Sequence, residues 1–190
     1  MPVLDSKTAY NFLRMRRSIR NFTPELVSED KMRQLLDIAR YAPTAANSQG
    51  LYYIVVSDQE LIRKICDCVA DWMQEEIDND SRRRYFRKVL EVYRGRGVDI
   101  IGRNAKQLVF ALARRLNVTG VSNCEQAWAY VELYAPTLGL GTTIMGFIET
   151  CARADYAPLR ELLQVPQKQV IVGTLLVGYP KYKYNRLVNR

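Results

Sequence analysis

The stretch VSEDKMRQLLDIARYAPTAANSQGLYYIVV, residues 27–56, joins a predicted helix to a predicted strand through a loop of small polar residues. Ser28 can cap a helix over 28–41, and the acidic residues that follow it suit the positive end of the helix dipole. Pro43 ends that helix, because the residue before a proline avoids helical backbone angles. The β-branched and aromatic run LYYIVV, 51–56, is typical of a strand.

The rest of the chain carries the same two kinds of pattern. Apolar residues at helical spacing predict further helices over 5–15, 59–74, 81–94, 122–138 and 155–163. Pro136 should shorten or kink the helix over 122–138. Apolar runs predict strands over 108–113 and 170–179, whereas 142–147 fits neither pattern clearly. Strands that are apolar throughout suit a sheet covered on both faces, so we expect three layers of the α+β or α/β class.

Composition limits what kind of protein the chain can be. Its 190 residues suit a single domain over 1–190, and no apolar run approaches the roughly 18 residues of a membrane span. The N-terminus lacks the architecture of a secretion signal, so we expect a cytoplasmic protein without membrane partners. The four cysteines have no zinc spacing and the chain has no histidine, so we expect reduced, buried thiols and no metal site. The missing histidines also exclude Ser-His-Asp and Cys-His catalysis.

Positive charge is concentrated in the segment SRRRYFRKVLEVYRGR, 81–96. The chain has a formal net charge of +8, and residues 82–96 hold seven basic side chains and one acidic side chain. Such cations, with aromatic residues between them, could contact phosphates and stack on bases in a nucleic-acid-binding protein. The same segment has four residues at helical spacing that would form a core-facing stripe: Phe86, Val89, Leu90 and Tyr93. This stripe argues against nucleic acid as the partner.

Four short stretches carry residues suited to ligand binding. RRSIR, 16–20, places three guanidinium groups beside a hydroxyl, which suits a phosphate, although a solvated helix end would look similar. APTAANSQG, 42–50, has small side chains that would let a flat ring approach the backbone, although it could be an ordinary turn. GLGTTIMGF, 139–147, lacks the spacing of a dinucleotide or phosphate-binding loop. The basic tail after the last strand could also reach a phosphate.

The order of these stretches resembles the flavin-dependent nitroreductase family. The resemblance runs from about residue 10 to 186. It rests on the Arg-x-Ser-x-Arg core, a helix, Ala-Pro-Thr-x-x-Asn-x-Gln and a strand, followed by GLGTTIMGF and VGTLLVGYPKYKYNR. It implies an α+β fold, a three-layer α/β/α sandwich that forms an intertwined homodimer. It also implies the cofactor FMN, bound in sites where the two subunits meet.

The resemblance assigns cofactor-binding residues from several parts of the chain. One set would line the phosphate, ribityl chain and pyrimidine edge of the flavin: Arg16, Arg17, Ser18 and Arg20. Within that set, Arg20 would stabilise negative charge near N1 and O2 of the reduced ring. A loop from the partner subunit would lie against the ring: Pro43, Thr44, Ala45 and Asn47. Met145 and Gly146 would lie near N5 of the flavin. Lys183 and Arg186 would contact its phosphate.

The implied activity is two-electron transfer in two alternating half-reactions. NAD(P)H would deliver hydride to FMN N5 and leave, and a nitroaromatic, quinone or similar small aromatic acceptor would then enter the same pocket. Another electron donor could replace NAD(P)H, since no nicotinamide-binding motif is visible. Reductive dehalogenation, flavin fragmentation and enoate reduction on the same scaffold stay open, as does a flavin-binding protein without efficient turnover. Gly50 and Leu51 stand where many relatives carry Pro and an aromatic residue, a departure that would widen the pocket.

Overall fold

The described residues form a four-stranded antiparallel sheet at the centre of the fold. The structure, a computed structural model, describes residues 3–80 and 83–187, and the strands lie in the order β1-β2-β4-β3. Their bounds are β1 Leu51–Val56, β2 Gln107–Arg114, β3 Gly141–Ile144 and β4 Gln169–Gly178. The beginning of β1 pairs with the end of β2, which pairs with the beginning of β4. The beginning of β3 pairs with the opposite end of β4.

Helices flank the sheet close to where the sequence predicts them. They are α1 Ser6–Met15, α2 Glu29–Asp37, α3 Gln59–Asn79, α4 Arg84–Leu90, α5 Gly120–Tyr134, α6 Gly146–Arg153 and α7 Ala157–Leu162. Asp5 and Ser28 cap α1 and α2 through their side-chain oxygens. Short turns continue three helices: 3-10 turns over Ile38–Tyr41 and Ala135–Leu138, and a π turn over Glu91–Gly95. No helix in the described part of the chain is both long enough and apolar enough to cross a bilayer.

The boundaries differ from the predictions in two places for physical reasons. The stretch 142–147 fits neither pattern because β3 ends at Ile144 and α6 begins at Gly146, so two periods meet within it. α3 continues past the predicted residue 74 because Ile77 extends the buried stripe of the helix. Regular helix ends at Tyr134, before Pro136, as predicted. The predicted start of the 81–94 helix lies outside the described residues.

The sheet has a hydrophobic core on each face. Successive side chains of a strand point to opposite faces. In β2, Leu108 and Phe110 join the core formed with α3, α4, α6 and α7. Val109 and Ala111 join the core formed with α2 and α5. The three-layer α/β/α arrangement of an α+β protein is therefore confirmed.

α1 stands apart from both cores. None of its side chains is buried, although its apolar residues follow helical spacing. Tyr10 and Leu13 are 62% and 57% exposed. An amphipathic helix normally buries its apolar face against another element. Among the described residues, no other element buries this face of α1.

Candidate functional site

The arginine-rich segment, residues 16–20, lies at the edge of the sheet beside β3. The backbone N–H of Ile19 donates to the carbonyl oxygen of Thr142 at 2.9 Å. Just beyond β4, the N–H of Thr23 donates to the carbonyl oxygen of Tyr179 at 2.8 Å. These contacts bring the segment next to the basic tail that follows β4.

Two glycines let this part of the chain approach the sheet closely. A Cβ atom on Gly141 would lie 2.6 Å from Cγ1 of Ile19, and one on Gly178 would lie 2.9 Å from the ring of Phe22. Carbon atoms do not pack at such distances, so a side chain at either position would displace the chain beside it. The glycines at the start of β3 and the end of β4 therefore have a packing role at the site.

Arg17 ties the arginine-rich segment to the tail. Its Nη2 atom donates to the carbonyl oxygen of Arg186 at 2.8 Å. Its guanidinium carbon lies 4.3 Å from the centre of the Tyr184 ring, within the range of a cation–π contact. Lys183 and Arg186 are themselves exposed. The structure thus brings the predicted residues of the segment and of the tail together.

Arg16 is anchored to α5 by an acid that the sequence analysis did not single out. Arg16 Nη1 lies 3.6 Å from Oε1 of Glu132, whose side chain is 11% exposed. Burial raises the pKa of Glu132, and the charge of Arg16 offsets part of that rise. Ser18 bridges to β3, and Arg20 is exposed. An acidic residue in the apolar stretch AWAYVELYAP was the signal that could have identified Glu132.

A cavity of about 510 Å³, here called the edge cavity, opens between the arginine-rich segment, the start of β3 and the tail. Arg17 and Lys183 contribute cations to its wall, and Ile19, Thr142 and Pro180 contribute apolar and hydroxyl surface. Its volume is that of a small-molecule site, which spans about 300–1,000 Å³. The mixture suits a ligand that combines a negatively charged group with an apolar part.

Met145 and Gly146 lie further along the same edge, where β3 passes into α6. Met145 is buried, and its carbonyl oxygen accepts a hydrogen bond from Oγ1 of Thr174 at 3.3 Å. A Cβ atom on Gly146 would meet no atom within 4 Å, so the backbone there is open. Three residues of extended chain, about 10 Å, separate Met145 from Thr142 in the wall of the edge cavity.

The loop over 43–50 is held by a buried asparagine of α5. The N–H of Ala45 donates to Oδ1 of Asn123 at 3.0 Å, and Nδ2 of Asn123 donates to Oγ of Ser48 at 3.2 Å. Asn123 is 3% exposed. Asn123 was not among the residues predicted from the sequence. The signal that could have identified it is an amide side chain within an apolar helix.

The loop presents most of its predicted residues to solvent. Pro43, Ala45 and Asn47 are exposed and Thr44 is half-buried. Three of the loop residues have positive φ angles: Ala46 at 52°, Asn47 at 52° and Gln49 at 45°. Such angles are uncommon in residues other than glycine, and they cluster at ligand sites.

The loop and the arginine-rich segment lie at opposite ends of the sheet. The loop leads into β1, whose first residue Leu51 pairs with Ala113, and Ala113 pairs in turn with Val170 of β4. The arginine-rich segment lies beside the other end of β4, near Gly178. Val170 and Gly178 are eight residues apart, which corresponds to about 26 Å of strand. The predicted site residues of a single chain therefore lie at both ends of the sheet.

The basic segment over 82–96 is largely engaged with the protein itself. The predicted core stripe is confirmed, since Phe86, Val89 and Leu90 are buried and Tyr93 donates to Asp67 at 2.8 Å. Ion pairs join Arg83 to Glu76, Arg94 to Asp71 and Arg96 to Glu91. Phe86 and Tyr93 thus pack against the protein and are not free to stack on bases, whereas Tyr85 is 65% exposed and Arg82 lies outside the described residues.

Comparison with known proteins places the chain in one family. Residues 13–179 match the profile of the nitroreductase family. Nitroreductase NfnB of Mycolicibacterium smegmatis is 28% identical, over 94% of this chain and 86% of its own length. An NADH dehydrogenase of Thermus thermophilus is 27% identical, over 95% of this chain and 89% of its own length.

A solved structure shares the fold. The crystal structure of a nitroreductase with bound FMN from Bacteroides fragilis has a TM-score of 0.76 and 16% identity, and covers 98% of this chain and 96% of its own. At that identity the likeness concerns the fold alone. The sequence match, in contrast, spans nearly the whole described chain from α1 to the end of β4. The chain therefore belongs to the nitroreductase family.

Proposed function

We propose that the protein is a cytoplasmic, FMN-dependent oxidoreductase that transfers two electrons from NAD(P)H to nitroaromatic, quinone or similar acceptors. The observation that carries the proposal is the edge cavity, where Arg17 and Lys183 line one wall. Membership of the nitroreductase family and the FMN bound to the Bacteroides fragilis relative support the same cofactor.

The residues around the edge cavity fit FMN. A phosphate dianion needs nearby cations: Lys183 lines the cavity together with Arg17, and the backbone carbonyl of Arg186 is bonded to Arg17. The apolar surface of Ile19 and Pro180 suits the flat part of the cofactor. Bound FMN would supply the redox chemistry, accepting hydride from the donor and passing two electrons to the acceptor.

The remaining residues of the arginine-rich segment would position and tune the cofactor. Arg16 is fixed by Glu132 at the edge of the sheet, and Ser18 is fixed by its bridge to β3. Both can therefore offer hydrogen bonds without large rearrangement. Arg20 is exposed, so its guanidinium would stabilise negative charge on the pyrimidine edge of the ring.

We also propose that the working form is a homodimer. The loop over 43–50 and the arginine-rich segment lie at opposite ends of β4, which supports an arrangement in which a second copy places its loop beside each edge cavity. The uncovered apolar face of α1 supports the same arrangement, because a partner subunit would bury it. Pro43, Thr44, Ala45 and Asn47 would then face the flavin of the partner.

Donor and acceptor would use the same pocket in turn, one face of the cofactor lying between the edge cavity and the loop of the partner. The visible spectrum of freshly purified protein tests the proposal, followed by anaerobic addition of NADH or NADPH. We expect a yellow protein whose colour bleaches with a nicotinamide donor and returns with a nitroaromatic or quinone. A colourless protein that does not take up FMN would contradict the proposal. Profiling of halogenated and enoate substrates separates the other reductive chemistries.

A further inference from the structure

A second cleft lies at the end of the sheet that is far from the edge cavity. Its volume is about 1210 Å³, and its walls come from the 43–50 loop, the end of β2 and residues 166–169, which lead into β4. The N–H of Arg115 donates to the carbonyl oxygen of Lys168 at 2.8 Å, which ties two of these walls together. We call this space the basic cleft.

The basic cleft carries an excess of positive charge. Arg114, Arg115 and Lys168 line it, and none of its described lining residues is acidic. Arg115 is neutralised by Asp155, with Nη1 and Oδ2 2.9 Å apart. Arg114 and Lys168 have no carboxylate partner among the described residues. Two cations on adjoining walls of a cleft suit a ligand with phosphate groups, which arginine can bind bidentately.

The same cleft offers apolar surface to a ligand. Tyr52 and Leu116 line it and are 47% and 92% exposed. An exposed aromatic ring beside cations is the combination that binds a nucleotide, because the ring stacks on the base while the cations hold the phosphates.

The position of the basic cleft connects it to the site. Gln49 and Gly50 line it, and both belong to the loop that the proposed function places beside the flavin of the partner subunit. A ligand bound by Arg114 and Lys168 could therefore extend along this loop toward the flavin.

We propose that the basic cleft binds the phosphate-bearing half of the dinucleotide electron donor, so that its nicotinamide reaches the flavin past the 43–50 loop. This proposal rests on the proposed function, because it needs a flavin on the far side of that loop. NADPH carries a 2′-phosphate in addition to the pyrophosphate, so it should depend on the cleft more strongly than NADH.

The test uses the double variant Arg114→Gln/Lys168→Gln of the FMN-loaded protein. We expect its KM for NADPH to rise about tenfold, with a smaller rise for NADH and with the FMN content of the wild type. Calorimetry should show the same loss of affinity for NADP⁺, a probe that needs no turnover. The control Arg33→Gln/Lys64→Gln removes the same charge from exposed positions on α2 and α3 and should keep the wild-type KM.

Several outcomes would overturn the proposal. They are a KM and NADP⁺ affinity within twofold of the wild type, an equal loss in the control variant, or a wild type that does not bind NADP⁺. Displacement of NADP⁺ by inorganic phosphate at equal concentration, or tighter binding of a single-stranded DNA oligonucleotide, would also refute it, because the cleft would then be a general anion or nucleic-acid site. A protein that takes up no FMN defeats the proposed function instead, and calorimetry with NADP⁺ still tests the cleft.

Discussion

Arg17 and Arg186, 169 residues apart in the sequence, meet through a hydrogen bond of 2.8 Å from the guanidinium to the backbone carbonyl. The contact gives Arg17 a structural task as well as a charge near the edge cavity. Because Arg17 also lies over the ring of Tyr184, it fixes the direction in which the basic tail leaves the sheet. The tail and the arginine-rich segment are therefore held side by side.

Replacing Arg17 should weaken the retention of FMN. Arg17→Ala removes a cation from the wall of the edge cavity and releases the tail that carries Lys183 and Arg186. We expect the dissociation constant of FMN to rise about tenfold or more, measured by fluorescence titration of the apoprotein. Arg33→Ala, at an exposed position on α2, is the matched control and should keep the wild-type value. Equal affinity in both variants would show that Arg17 does not contact the cofactor.

Replacing Arg20 should change the midpoint potential of bound FMN more than the affinity for FMN. A fixed cation beside the pyrimidine edge favours the state with more negative charge, so its loss makes reduction harder. We expect Arg20→Gln to lower the midpoint potential of bound FMN by about 30 mV, measured by equilibration with reference dyes. An unchanged or raised potential would refute the role that we assign to Arg20.

Asn123 should be essential to the shape of the 43–50 loop. Its side chain bonds to Ala45 and Ser48, and also to Oγ1 of Thr119 at 3.3 Å. Asn123→Ala removes the bonds to Ala45 and Ser48, while Oγ1 of Thr119 keeps its bond to Asn117, so we expect the free energy of unfolding in urea to fall by about 2 kcal/mol. Gln74→Ala, an exposed substitution on α3, should change it by less than about 0.5 kcal/mol. A similar small change in Asn123→Ala would mean that water replaces the asparagine at no cost.

The sequence predicts the elements of this fold better than it predicts their long-range contacts. Ser28 caps α2 and LYYIVV forms β1 because both patterns are local, and the four cysteines are free and buried as expected. The bond from Ala45 to Asn123 joins residues 78 positions apart, and nothing near either residue specifies it. The pairing of Arg16 with Glu132 could not be predicted from the sequence either, because it depends on how α5 packs on the sheet.

The pKa of Glu132 gives a pH test of that pairing. Burial raises the pKa of Glu132 in the folded state. The neutral side chain therefore favours folding fully below the unfolded pKa of about 4.3, and this contribution is lost as the pH rises through the folded pKa. Glutamine stays neutral at every pH. The difference in unfolding free energy between Glu132→Gln and the wild type should thus shift in favour of the variant as the pH rises above about 4.

The measurement is urea denaturation at a series of pH values. The attraction between Arg16 and Glu132 exists only when Glu132 is ionised, so it is already contained in the folded pKa, and the slope carries the information. Gln126→Ala, an exposed position on α5 without a titratable group, should give a flat difference. A flat or reversed slope for Glu132→Gln would contradict the raised pKa.

The most direct test of the central claim is the FMN content of a mixed dimer. One chain carries Arg17→Ala and Arg20→Ala, and the other carries Ala45→Trp in the loop, so each homodimer should lose FMN. If each site combines the segment of one chain with the loop of the other, the mixed dimer has one intact site and should hold about one FMN per two chains. If a single chain builds the whole site, both sites of the mixed dimer are damaged and it should be as empty as its parents, which would contradict the account.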